Sequence, residues 1–213
     1  MNQQITAPPL SVFIVDDDDA FRDSLSWLLE STTYKIHTFN SGEAFLEQYD
    51  GTPGCLLLDI RMPGISGLAL QQELSRREIR LPTLILTGHG DIPMAVSAIK
   101  SGALNFIEKP FDDLVLLDHL DKAMALAGQW HQEQQLRSQL IGRWETLSKR
   151  EKQVMGLVVS GLANKEIAEQ LTISPKTVEV HRARVMSKME ADSLADLVNQ
   201  AHKIESLKTL LEK

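Results

Sequence analysis

Four short apolar runs in the first half of the chain each stop at a polar or charged residue, and that repeated ending constrains the fold most. Val12 to Val15 runs into Asp16 and Asp17, Cys55 to Leu58 into Asp59, Thr83 to Leu86 into Thr87, and Asn105 to Ile107 through Glu108 to Lys109 and Pro110. Apolar runs this short, closed by residues such as Pro63, Gly64 and Gly67, read as buried strands. Lys35 to Phe39 adds a short alternating strand. Between the strands the spacing turns helical: Phe21, Leu25, Leu28 and Leu29 mark one helix, and Ser41 caps a second carrying Ala44, Phe45 and Leu46. Further helices are predicted at about 66 to 77, 91 to 101 and 112 to 126. This alternation predicts an α/β fold, a doubly wound five-stranded parallel sheet.

In such sheets the ligand crevice lies beyond the carboxyl ends of the strands. Asp16, Asp17 and Asp59, with Thr87 and Lys109, are therefore expected on one rim. Any one of them alone is an ordinary solvated loop residue, but five after four strands are not. Three clustered carboxylates repel unless a cation sits among them, and an all-oxygen set suits Mg²⁺. The chemistry expected is phosphoryl transfer, with Asp59 as nucleophile and Lys109 and Thr87 serving the phosphoryl oxygens.

The segments VFIVDDD, LLLDIRMPG, LILTGHGD and FIEKPF resemble the signatures of the receiver domain of two-component response regulators, in order, across residues 10 to 126. The resemblance implies Asp59 as phosphoacceptor, Asp16, Asp17 and Asp59 as Mg²⁺ ligands with the backbone carbonyl of Arg61, and Thr87 and Lys109 on the phosphoryl group. It also implies a cis bond before Pro110. Asp18 and Asp19 are extra acids without a metal role. Phe106 is either a core aromatic or, with Thr87, the family's switch residue, in which case phenylalanine keeps only the steric half of that device.

With 213 residues the chain can build two cores. A single cysteine, Cys55, excludes an internal disulfide and sits in a strand, where a buried, inert thiol is expected. The start, MNQQITAPPL, reads as a disordered leader over 1 to 10, lacks signal-peptide character, and no apolar run approaches membrane-spanning length. A cytoplasmic protein with no membrane partner is expected. Residues 1 to 126 hold 9 basic against 18 acidic side chains, whereas residues 127 to 213 hold 13 against 11, so only the second half suits DNA.

Residues 127 to 145 read as a helical linker with Gly128 and Gly142 at its ends, either exposed or packed between domains. From 146 onward a small all-α domain is predicted. Val154, Leu157 and Val158 share a helical face that stops at Gly161; Asn164 caps NKEIAEQL; and Ser174 with Pro175 opens PKTVEVHRARVMSKM. Two short helices joined by a tight turn make a helix-turn-helix. On the second, Val178, Val185 and Met189 face inward, leaving Lys176, Glu179, Val180 and Ala183 outward with Arg182, Arg184 and Lys188 flanking them.

LSKREKQVMGLVVSGLANKEIAEQLTISPKTVEVHRARVMSKM resembles the LuxR-type DNA-binding domain, and with the receiver it makes the chain similar to the NarL/FixJ family. The DNA-contacting set is then Lys165, Lys176, Thr177, Glu179, Val180, His181, Arg182, Ala183, Arg184 and Lys188, with His181 more suited to packing. The last run, with Leu194, Leu197, Ala201, Ile204 and Leu211, either forms a two-fold dimer contact or closes the domain's own core. The expected protein is a transcription regulator rather than a turnover enzyme. It would be phosphorylated by a sensor histidine kinase, dimerise on phosphorylation, and act with promoter DNA and RNA polymerase. A dehalogenase-like phosphatase would need an acid where Arg61 stands, and a ligand-sensing LuxR-type protein an apolar pocket in place of the acidic rim.

Overall fold

The structure is a computed structural model describing residues 10–88 and 92–211, the side chains of Ile92 and 205–211 excepted. It divides into two compact units, one ending at Gln132 and the other starting at Glu133. Most of the expected leader lies outside the described residues. Leu10, its last residue, is ordered instead: its carbonyl accepts from Lys35 N at 3.3 Å and its side chain packs on the core.

In the first unit β1 (Ser11–Val15), α1 (Asp19–Leu29), β2 (Lys35–Phe39), α2 (Gly42–Gln48), β3 (Gly54–Leu58), α3 (Gly67–Arg76), β4 (Thr83–Thr87), α4 (Ile92–Lys100) and β5 (Asn105–Glu108) alternate up to α5 (Asp113–Thr146). The strands are all parallel, in the order β2-β1-β3-β4-β5. Both faces of the central strands β1, β3 and β4 are covered, so these read as apolar runs, while the edge strand β2 keeps its alternation. The pleat sorts them nonetheless: Phe13, Val15, Leu56, Leu58 and Ile85 join Phe45, Leu70 and Ala98 on one face. Val12, Ile14, Leu57, Leu84 and Ile107 join Leu25, Leu29, Leu116 and Leu120 on the other. Phe106 packs against the first of these cores, with Met94 and Ala98 of α4 in the same cluster. Cys55 is fully buried, and desolvation pushes its thiol far up, as expected of an inert cysteine.

The sheet fixes the rim by its register. Val15 pairs with both Phe39 and Leu58, and the ladder runs one residue further, Asp16 N donating to Phe39 O at 3.2 Å and Asp59 N to Val15 O at 2.9 Å. Lys109 N likewise donates to Thr87 O at 2.9 Å, just before the cis Lys109–Pro110 bond. Asp16, Asp59 and Lys109 are therefore held by backbone before any side-chain contact is made.

The linker is helical, but Gly128 and Gly142 do not end it: both lie inside α5, which runs unbroken from Asp113 to Thr146. Its Leu116, Leu120, Ala123 and Met124 belong to the first unit's core, its Leu140 to the second's. The second unit continues with α6 (Lys149–Val159), α7 (Asn164–Leu171), α8 (Pro175–Met189) and α9 (Leu194–Leu211) around Val154, Met155, Ile167, Val178, Val185, Met189, Leu197 and Ile204. Leu197 and Ile204 thus close the domain's own core. Gly161 follows α6 at φ +84°, the left-handed position where glycine avoids a Cβ penalty.

Candidate phosphoacceptor site and DNA-binding surface

Asp16 and Asp59 are both buried, 3% and 7% exposed, at the carboxyl ends of the adjacent strands β1 and β3. The Lys109 ammonium lies between them, 2.6 Å from Asp16 Oδ2 and 3.0 Å from Asp59 Oδ1, with the Phe21 ring face 3.6 Å from it. The second Asp59 oxygen accepts from Arg61 N at 2.6 Å. Burial pushes the Asp16 carboxyl above its ordinary value, against the lowering effects of Lys109 and of the Asp18 amide. Arg22 Nη1 donates to the Asp16 carbonyl at 2.6 Å, and Asp18 caps α1, accepting from Phe21 N at 3.2 Å. Thr87, at the end of β4, is buried.

Asp17 does not join the pair. It is exposed, and among the described residues no three His, Cys, Asp or Glu side chains gather into a metal-holding group. The expected knot of three carboxylates is thus a buried pair balanced by an ammonium. As consecutive residues leaving a pleated strand, Asp16 and Asp17 point different ways. The donor chemistry still fits Mg²⁺, an oxygen-seeking ion that keeps several waters and takes one or two carboxylates.

In the second unit Ser174 caps α8, accepting from Thr177 N at 3.0 Å, with Pro175 at the first helical position. Val178, Val185 and Met189 are buried, while Lys176, Glu179, Val180, Ala183 and Arg184 are exposed, as the spacing predicts. Lys165 on α7 is exposed as well, and Val180 presents 43% of its surface. Such a face offers small and polar groups to base edges with cations beside them.

Comparisons with known proteins agree with both halves. Residues 12–121 match the response regulator receiver domain, and residues 145–201 the family of bacterial regulatory proteins of the luxR type. The transcriptional regulatory protein FixJ of Azorhizobium caulinodans is 47% identical over 195 residues, covering 90% of this chain and 92% of that protein. The response regulator protein TodT of Pseudomonas putida is 42% identical, covering 91% and 86%. Among solved structures, the response regulator StyR superposes with a TM-score of 0.84 at 41% identity over 92% of this chain and 99% of that one. Full-length FixJ from B. japonicum gives 0.55 at 42%, over 91% and 96%. The chain belongs to the NarL/FixJ family of response regulators. It is a two-component transcriptional regulator, whose receiver implies a histidine kinase partner and whose second domain implies DNA binding.

Within this NarL/FixJ regulator, two cations expected on phosphates are engaged by the protein itself. Lys188 Nζ lies 2.7 Å from the buried carboxylate of Glu151 and 3.0 Å from the Thr146 carbonyl. Arg182 Nη1 donates to Asn164 Oδ1 at 2.7 Å. Both side chains lie where α8 meets the elements it packs on, which spacing along one helix does not reveal. Asn164 is accordingly not the cap of α7. Ala163 holds that position, and its amide donates to Glu166 Oε2 at 2.7 Å. His181 is half-buried with its Nδ1 buried and unpartnered, in keeping with packing, and Thr177 turns its hydroxyl to Ser174 at 2.8 Å.

Three residues of importance were missed by the spacing argument. Phe21 was a core position of a helix, yet its ring faces Lys109. Glu151 follows the capping serine Ser148 by three residues, a signal of a capping box, and its amide-facing carboxylate completes that box at 2.8 Å. Glu43 accepts from Ile65 N at 2.8 Å across 22 residues.

Proposed function

We propose that Asp59 accepts the phosphoryl group of a sensor histidine kinase and that the phosphorylated protein dimerises and binds promoter DNA. The observation carrying this reading is the Asp59 carboxylate itself, at the rim of the sheet with Lys109 3.0 Å away and the Arg61 amide at 2.6 Å. An Asp59 oxygen attacks phosphorus, the P–N bond to the kinase imidazole breaks with its electron pair going to nitrogen, and the imidazole, already protonated on its other nitrogen, leaves neutral. Lys109 exchanges part of its contact with Asp59 for the phosphoryl oxygens, and the Thr87 hydroxyl approaches the same oxygens, with Phe106 following. A bound Mg²⁺ would be held by Asp59, Asp16 and the Arg61 carbonyl, with Asp17 reaching it on turning its side chain inward, and would neutralise the charge gathering there. The protein ends each event phosphorylated, a participant in transfer rather than a turnover enzyme.

Dimerisation is supported by the apolar side chains that the receiver leaves in water: Val96 and Ile99 of α4, Leu104 before β5 and Val115 of α5 are each between 41% and 47% exposed. Lys176, Glu179, Val180, Ala183 and Arg184 would face DNA, and RNA polymerase would be met at the promoter. No described helix is long and apolar enough to cross a membrane.

The test is labelling by acetyl phosphate with Mg²⁺. One phosphoryl group per chain is expected on the wild type and none on Asp59→Asn, which keeps the shape but not the nucleophile. Undiminished labelling of that variant would end the assignment.

A further inference from the structure

We infer that Glu43 is a positioning residue for phosphoryl transfer at Asp59, acting through the loop between β3 and α3. The inference rests on the reading of Asp59 as phosphoacceptor. That loop supplies the Arg61 amide, which reaches Asp59 Oδ2 at 2.6 Å, so its placement decides where the reacting carboxylate is held.

The loop's two ends are fixed by burial and backbone. Ile60 and Met62 are 4% and 8% exposed and belong to the core, and Gly67 N donates to Ile60 O at 3.0 Å. Gly67 must be glycine, since a Cβ there would run into the Asp59 carbonyl. The crown between, Pro63 to Ser66, is held from α2. Ser41 caps that helix, accepting from Ala44 N at 3.2 Å, and so sets Glu43 in its first turn. Glu43 Oε1 accepts from Ile65 N at 2.8 Å. Gly64, at φ +76°, lies against the same carboxylate, which a Cβ on Gly64 would strike. Ile65 in turn packs into the core beside α2.

The length of the Glu43 side chain brings an acceptor oxygen to the Ile65 amide, and that reach is what holds the crown. Glu43 does not touch Asp59 in the described contacts; it holds the loop whose Arg61 amide does. The crown joins Arg61 through the single residue Met62, so releasing it loosens one side of the peptide units that carry the Arg61 amide and carbonyl, and displacements of an ångström at a reacting centre cost rate heavily.

The experiment uses the full chain with acetyl phosphate and Mg²⁺, comparing wild type, Asp59→Asn, Glu43→Ala, Glu43→Asp and Glu43→Gln. Labelling is followed by intact mass and the Ile65 amide by hydrogen exchange. Glutamine keeps an acceptor of the right reach without charge, whereas aspartate keeps the charge one methylene short. The expected result is that Glu43→Gln stays near wild type in both readouts. Glu43→Asp and Glu43→Ala lose protection at Ile65 and label about tenfold more slowly. Labelling of Glu43→Asp at the wild-type rate, or of Glu43→Gln as slowly as Glu43→Asp, overturns the inference. Labelling of Asp59→Asn would instead defeat the phosphoacceptor reading beneath it.

Discussion

At Lys188 the ammonium bridges the Glu151 carboxylate and the last carbonyl of α5, so its charge serves the joint between α5, α6 and α8. The hydrogen bond from Lys188, with help from the Ser148 amide, holds the Glu151 carboxyl down at about 2, well below its ordinary value of 4.5. A depressed acid stabilises the fold fully above the unfolded value and loses that contribution as pH falls through the folded one. The pair's contribution is thus present above pH 4.5 and fades toward about 2. Lys188→Met leaves a buried carboxylate short of a partner, and a loss of about 1–3 kcal/mol is expected in denaturant melts at neutral pH. The gap between variant and wild type should narrow as melts are repeated at decreasing pH below 4.5; a constant gap would place the effect elsewhere. Around Asp59 the same scale governs charge: Lys109 balances two carboxylates, so removing it affects Asp16 as much as Asp59.

Helix α8 is the element whose start and faces could be read directly, because Ser174 and Pro175 are local signals and Val178, Val185 and Met189 keep helical spacing to the core. Ser174→Ala should cost the second unit about 1 kcal/mol, seen as a lower melting point. On the exposed face, Val180→Ala and Glu179→Ala should change which single-base operator variants are preferred, each base contact discriminating by about 1–3 kcal/mol. Arg184→Ala should weaken all sequences alike and flatten the salt dependence by about one unit of slope. Binding to an operator panel at two salt concentrations separates the two, and a sequence-selective Arg184→Ala would mean that the helix docks in a different rotation. Helix α5 was harder to read. A glycine inside a helix costs about 0.5–1 kcal/mol, so Gly128 and Gly142 look like ends, but the burial of Ala127 and Leu140 beside them outweighs that penalty. The strands and most of the rim follow from period and punctuation, whereas the Phe21 ring over Lys109 and the Glu43 bond to Ile65 carry no local signature. Both join residues that only the folded topology brings together.

For the whole molecule, the matched luxR-type region begins at residue 145, but the compact second unit begins at Glu133. Leu140 is 8% exposed in that unit's core, Trp144 packs against the same cluster, and Lys152 lies 5.1 Å from the Trp144 ring. A fragment of residues 133–213 should therefore melt cooperatively, while one cut to 147–213 should be less stable by about 2–4 kcal/mol, the usual cost of losing large core side chains. Equal melting points would show that the end of α5 adds nothing. The packing of Leu140 also bears on how such chains are assembled by recombination. A crossover that replaces the receiver preserves the DNA-binding core only upstream of Leu140, and so falls within an unbroken helix. The gene's safe exchange points therefore do not coincide with the edge of the luxR-type match, and they lie inside a helix rather than in a loop.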